Sequence, residues 1–283
     1  MMNTALTPAV AYTEHVVCDP GSDSAAAIKK AFVEEGFIVV KNVSTTNARK
    51  NAVDLVRRQI DVCPEASIQG FFELYHDDAL AQLRQNPDLV KTFSILWGCQ
   101  ELWVVFDRFI YMTEHNRETP LPLHVDQNPH TQPQFCSTQG LLGVIPRSHR
   151  SFGQYRAWSD DRQGYVEYQG DDLPARRDAL RAVRLNEGEM VIWDSRLTHS
   201  RFNAVPTTSS KARERVLAMI SFMPASADEQ LREKRCEALR SGTGAFDHAA
   251  GLRKTAHAHI QSLRVTPENL TDLGHKIYGV TPW

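Results

Sequence analysis

The sequence predicts a mainly β fold with flanking helices: a double-stranded β-helix, the cupin-like jelly roll, held between N-terminal and C-terminal helical layers. Three observations predict it. Residues 101–224 break into a succession of short β-like runs separated by turn residues, the texture of a sandwich or barrel. Helical periodicity is confined to the segments on either side. Two strand-like runs end in metal-type ligands, a His-x-Asp at His124–Asp126 and a lone His at His199, and a jelly roll houses such donors in its mouth.

Residues 1–20 read as a loose arm, polar and Ala/Thr-rich, with neither the cationic start nor the apolar stretch of a secretory signal. Asp23 or Ser24 caps a helix over Ala25–Glu35, whose Ala27, Ile28, Ala31 and Phe32 share one face, and Gly36 stops it. A strand over Phe37–Val43 follows, then a helix over Thr46–Ile60 with Ala52, Leu55, Val56 and Ile60 at helical spacing, and another over Asp77–Phe93. Residues 21–100 thus form a helical layer with an edge strand. The β-like runs are 102–106, 108–112, 123–126, 134–139, 141–146, 182–185, 189–193 and 216–223, punctuated by turns such as Asn186-Glu187-Gly188 and Pro146-Arg147-Ser148. A charged segment, 158–177, reads as an insertion that lids the site. Charged amphipathic helices over 228–240, 251–262 and 267–278 would cover the core or form a homodimer surface. The whole chain, 1–283, is expected to be one domain.

Composition narrows the partners. A formal net charge of -2 gives no bulk attraction to nucleic acid or an anionic membrane, and no apolar run is long enough to span a bilayer. The cysteines Cys18, Cys63, Cys99, Cys136 and Cys236 are scattered without zinc-type spacing, which suits free thiols in a reducing, cytoplasmic compartment. A small-molecule substrate is the expected partner.

The His-x-Asp spacing has a physical reason. Residues two apart on a strand point the same way, so His124 and Asp126 reach one mouth while Val125 packs behind. A third ligand must then come from another strand, which His199 supplies. Two imidazoles and one carboxylate occupy one face of an octahedral metal and leave the other open, the donor set of non-haem Fe(II) oxygenases.

Four pieces in order carry a resemblance. They are Phe32–Val43, the His124-Val125-Asp126-Gln127 motif, the turn Gly143-Val144-Ile145-Pro146-Arg147-Ser148-His149-Arg150, and Gly188–His199 with its Glu-Met-Val-Ile-Trp-Asp run. Together they make the chain resemble the phytanoyl-CoA dioxygenase-like branch of the Fe(II)/2-oxoglutarate oxygenases. The resemblance implies that His124, Asp126 and His199 hold Fe(II), that 2-oxoglutarate and O2 are cosubstrates, and that an Arg on the strand after the distal His binds the far carboxylate of 2-oxoglutarate through paired hydrogen bonds. Arg215 is the first choice and Arg213, of the same strand parity, the second. Asp126 fills the position that related halogenases leave to chloride, so the resemblance implies oxygenation. Its outcome would be hydroxylation, desaturation or cyclisation of an amino acid or natural-product intermediate, with 2-oxoglutarate decarboxylated to succinate.

The chain departs from the family at the short Gly140-Leu141 connection and at Arg147, which stands where the family has Gly and is expected to avoid a positive φ. Tyr111 is a candidate 2-oxoglutarate or substrate contact, and Gln127, Asn128, His130 and Arg201 are candidate substrate contacts, Arg201 for an anionic group. His149 reads as structural and Trp193 as core. Two other classes compete: a catalytically silent jelly-roll binding protein, and a cupin-type isomerase or hydrolase using its metal as a Lewis acid.

Overall fold

The structure, a computed structural model, describes residues 11–64, 67–68, 71–72, 74–112, 122–126, 135–138, 142–157, 166–201, 215–246, 251–253 and 263–283. In chain order the elements are β1 (Val17–Cys18), α1 (Ala25–Glu35), β2 (Phe37–Val40), α2 (Thr46–Val62), β3 (Ser67–Ile68), β4 (Phe71–Phe72), α3 (Asp78–Arg84), α4 (Pro87–Trp97), β5 (Leu102–Val104), β6 (Phe109–Met112), β7 (His124–Val125), β8 (Phe135–Thr138), β9 (Leu142–Val144), β10 (Val166–Glu167), α5 (Leu173–Asp178), β11 (Arg181–Ala182), β12 (Met190–Asp194), β13 (His199–Arg201), β14 (Arg215–Ala218), β15 (Phe222–Pro224), α6 (Glu229–Ser241), β16 (Gly244–Phe246), β17 (Gly251–Arg253) and α7 (Asp272–Tyr278). Helices and sheets are mixed, and among the described residues the sheets do not close into a barrel.

Layering follows from two strands that are apolar on both faces. In β2, Ile38 and Val40 join the large core with Ile28 and Phe32 of α1, while Phe37 and Val39 join a second core. In β12, Met190 and Ile192 face the first, and Val191 and Trp193 the second. The sheet β1-β2-β12-β8 therefore lies between a helical layer and the five-stranded sheet β10-β7-β13-β9-β11, which contributes Leu142 and Val144 to the second core. Strands covered on both sides read as continuous apolar runs.

Ser24 caps α1 by accepting from the Ala27 amide, and Gly36 ends it at φ 81°. The same end is clamped to the turn before the 3-10 segment Ser148–Ala157: the Arg147 amide donates to the Glu35 carbonyl at 2.9 Å and its guanidinium pairs with the Glu35 carboxylate. Arg147 sits at φ 66°, against the expectation of a non-positive angle. These contacts to Glu35 hold a conformation that glycine would reach without strain.

Other expectations are corrected. The helix over 77–93 is two helices, because Asn86 caps a new one at Pro87, which has no amide to continue the old ladder. The strand over 216–223 splits into β14 and β15, which pair with different partners, β6 and β5. Residues 251–253 are a strand against β16 instead of the start of a helix; the remainder of 251–262 lies outside the described residues. The helix over 267–278 is a 3-10 turn at Pro267–Asn269 followed by α7, separated by extended Leu270 and capped by Thr271. The segment 158–177, expected to lid the site, is described from Val166. From Val166 onward it adds β10 to the edge of β7 and packs Val166, Tyr168 and Leu173 behind Val125, and 158–165 lies outside the described residues.

The C-terminal helices join the main core through Ala238, Ile277 and Tyr278. Buried Arg235 of α6 donates to the Val104 carbonyl at 2.6 Å and lies 4.4 Å above the Phe106 ring. Among the described residues no helix is long and apolar enough to cross a membrane.

A Cβ at Gly36 would collide with the His149 imidazole and come within 2.8 Å of Leu197 Cδ1, on a left-handed backbone. Gly36→Ala is therefore expected to cost about 1–3 kcal/mol, read as a lower urea midpoint at unchanged m-value.

Candidate metal centre

Strand pairing brings the three predicted ligands together. In the antiparallel β7–β13 ladder, His199 lies directly opposite His124, so both imidazoles project from the same face. Asp126 follows β7 at the same parity as His124, and its amide donates to the Ser195 carbonyl at 2.9 Å, tying the ligand to the turn before His199. The His124 and His199 ring centroids are 4.2 Å apart. His124 Nε2 is 3.5 Å from Asp126 Oδ1, and His199 Nε2 is 3.3 Å from Asp126 Oδ2. One donor atom from each residue falls within 4.8 Å of the others.

Backbone carbonyls set the tautomers. His124 Nδ1 is 2.7 Å from the Pro122 carbonyl and His199 Nδ1 is 2.8 Å from the Leu197 carbonyl. A carbonyl only accepts, so each Nδ1 carries a proton and each ring turns Nε2 to the centre. The His199 turn is braced by Ser148 Oγ, which accepts from the Thr198 amide at 2.8 Å. Buried Asp194 is engaged by Arg196, and the Asp194 amide donates to the Gly36 carbonyl at 2.8 Å.

Electrostatics bind the cluster together. Burial pushes the Asp126 carboxyl up, but the His199 charge, hydrogen bonds from both rings and the His124 charge reverse this and hold it well below the usual carboxylate range. Burial likewise pushes His199 down, and the charge and hydrogen bonding of Asp126, with the Leu197 carbonyl, leave it raised.

The other predicted residues fare differently. Arg201 shares the strand face of His199; it is half-buried, and desolvation lowers its pKa. Arg215 and Tyr111 lie on opposite faces of the β6–β14 ladder. Arg215 pairs with Met112 and shares parity with Leu217, whereas Tyr111 pairs with Val216, and both of the latter pack on the large helical core. Tyr111 thus packs against the large helical core, on the face of the ladder opposite Arg215. Arg215 is exposed and lines a cavity of about 540 Å³ with Phe109, Val183 and Met190; His124, Asp126 and His199 are not in its lining. Gln127, Asn128, His130 and Arg213 lie outside the described residues. His149 is structural as expected, with Nε2 3.1 Å from the Val33 carbonyl. Sequence reasoning missed Trp193 as a site residue: its indole N–H donates to Asp126 Oδ2 at 3.0 Å. The signal was its parity with Val191 on the inner face of β12.

No protein-family model matches the chain. It is similar to Ava biosynthesis cluster protein O of Aspergillus versicolor, 24% identical over 157 residues that cover 46% of this chain and 50% of that protein. The chain thus matches about half the length of this curated relative. Its fold is similar to the hypothetical protein JW0805 from Escherichia coli, with a TM-score of 0.65 and 14% identity over 94% of this chain and 86% of the other. GlcNAc Inducible Gene 2 of Candida albicans is similar at a TM-score of 0.61 and 12% identity over 94% and 84%. The epimerase SnoN, solved with Fe3+, alpha ketoglutarate and nogalamycin RO, is similar at 0.50 and 13% identity over 84% and 90%. At these identities the likeness to solved structures is one of fold.

The pair His199–Asp126 gives metal-free stability a defined pH dependence. The raised His199 contributes fully below its unfolded value and loses that contribution as pH rises through its folded pKa. The lowered Asp126 contributes above its unfolded value and loses that as pH falls through its folded pKa. The shared window is roughly pH 4–6.5. The melting temperature of metal-free protein is expected to decline from pH 6.5 to 8.5, and His199→Ala to lack this limb. Added Co(II), which replaces the proton, should flatten it in wild type. Calorimetry across this range checks all three.

Proposed function

We propose that the protein is a non-haem Fe(II)/2-oxoglutarate-dependent dioxygenase built on one double-stranded β-helix domain, with β1-β2-β12-β8 and β14-β6-β4-β3 as one wall and the sheet carrying His124 and His199 as the other. The observation that carries this reading is the convergence of two Nε2 atoms and one carboxylate, with both Nδ1 protons already committed to carbonyls. The donors fit Fe(II): two neutral imidazoles and a carboxylate suit a divalent first-row ion and occupy few enough positions for a chelating cosubstrate. A cupin-type Lewis-acid site would call for a fourth protein ligand, and among the described residues the cluster has three. The fold likeness to SnoN, a protein solved with Fe3+ and alpha ketoglutarate, supports the choice of iron and cosubstrate.

His124, Asp126 and His199 would hold the iron, which when bound supplies oxidation by O2 coupled to decarboxylation of 2-oxoglutarate to succinate. The chain's own work is binding and exclusion. The near-complete burial of His124 and His199 keeps bulk water from the ligands. Arg215, at the start of β14, would take the far carboxylate of 2-oxoglutarate. Arg201, on the strand face of His199, would meet an anionic group of a small substrate, and its desolvation makes such a partner worth more than it would be in water. The similarity to a biosynthesis cluster protein supports a natural-product intermediate as that substrate.

An anaerobic titration with Fe(II) and then 2-oxoglutarate tests this through the visible charge-transfer band. Wild type is expected to develop the band and His199→Ala to lack it. Arg215→Ala should require on the order of tenfold or more 2-oxoglutarate, the loss of a charged hydrogen-bonding partner. Arg201→Ala should leave the titration unchanged and weaken substrate binding. Folded wild type without a band would sink the proposal.

A further inference from the structure

We infer that Trp193 is a positioning residue for the metal centre: its indole N–H holds Asp126 Oδ2 and so fixes the orientation of the carboxylate between the two imidazoles. This rests on the reading of His124, Asp126 and His199 as a metal site. Three observations carry it. Trp193 Nε1 is 3.0 Å from Asp126 Oδ2, a contact between residues on different sheets, β12 and the end of β7. The indole is itself locked, only 3% exposed and packed in the second core with Val144, Val191 and Leu197. Its ring also lies 5.3 Å from the His199 ring at 55°, so one side chain bears on two of the three ligands.

The physical consequence follows from lone pairs and charge. Indole N–H donates only, so a bond to a carboxylate oxygen draws charge from that oxygen and occupies one of its lone pairs. The carboxylate is thereby held with Oδ1 toward His124 Nε2 at 3.5 Å and Oδ2 toward His199 Nε2 at 3.3 Å. A carboxylate free to rotate would lose this alignment with the two imidazoles. One held by a rigid indole keeps it. This is the role that carboxylates and carbonyls play for metal-binding imidazoles, here supplied to the carboxylate ligand.

The test is Co(II) binding to the full chain, followed by its visible absorption and by the melting temperature of metal-free protein. Trp193→Phe keeps a ring in the core and removes the donor. It is expected to weaken Co(II) about 10–100-fold and to change the absorption intensity as coordination changes. In an Asp126→Ala background, Trp193→Phe should cost no further Co(II) affinity, because its effect runs through Asp126; a purely structural role would subtract equally in both backgrounds. Asp126→Ala should also shift the Trp193 indole proton resonance in wild-type packing, a readout that survives if Trp193→Phe does not fold. Wild type that binds no Co(II) overturns the metal reading and this inference with it. Wild type and Trp193→Phe binding alike, or an indole resonance unmoved by Asp126→Ala, overturns this inference alone.

Discussion

A single backbone register, His199 opposite His124 in the β7–β13 ladder, is the constraint on which the rest of the structure depends. A shift of one residue would send one imidazole to the opposite face of the sheet, because side chains alternate with a period of two. The neighbouring contacts protect that register. β9 pairs with β13 through His199–Val144 and Arg201–Leu142, and β10 pairs with β7 through Val166–Val125 and Glu167–His124. Val125, wholly buried among Leu123, Val166 and Tyr168, fixes which face of β7 is apolar and hence which face carries the ligands.

The helical layer acts on the centre through the end of α1. Its last residues meet two turns at once: Arg147 and His149 on one side, and Asp194 on the other, whose amide bonds the Gly36 carbonyl. Both turns lead directly to site elements, since the Ser148 hydroxyl caps the Thr198 amide and Asp194 ends the strand that carries Trp193. Glycine at position 36 is required by this crowding as much as by its backbone angle. The left-handed Arg147 shows the complementary solution, a strained residue held by its partners.

Burying a carboxylate between two imidazoles is costly unless charge and hydrogen bonds are matched. Here the matching is arranged from outside inward. Carbonyls of Pro122 and Leu197 orient the rings, the indole of Trp193 orients the carboxylate, and the three donors then face one another. Their mutual attraction explains the depressed Asp126 and raised His199, and a divalent cation would replace the proton that now mediates it.

The sequence by itself determined what local patterns encode. The first two helices, with the cap at Ser24 and the stop at Gly36 on the first, were legible because capping chemistry and periodicity are local. So were the His-x-Asp pair and the distant His, because strand alternation dictates which of them can share a face. Where reading failed, the deciding contacts ran across strands or between layers. β2 is apolar on every residue and β12 on all but its final Asp194, so no alternation reveals which face meets helices and which meets the sheet carrying His124 and His199. Residues 251–253 took their strand from pairing with β16, which no local propensity announced. Trp193 looked like core and is core, yet its N–H reaches a carboxylate 67 residues away. Tyr111 and Arg215 looked alike as pocket residues until cross-strand register placed them on opposite faces. Tertiary structure alone decided these cases, because a side chain's partner across a sheet is set by register and layering, and neither is written in the residues on one strand.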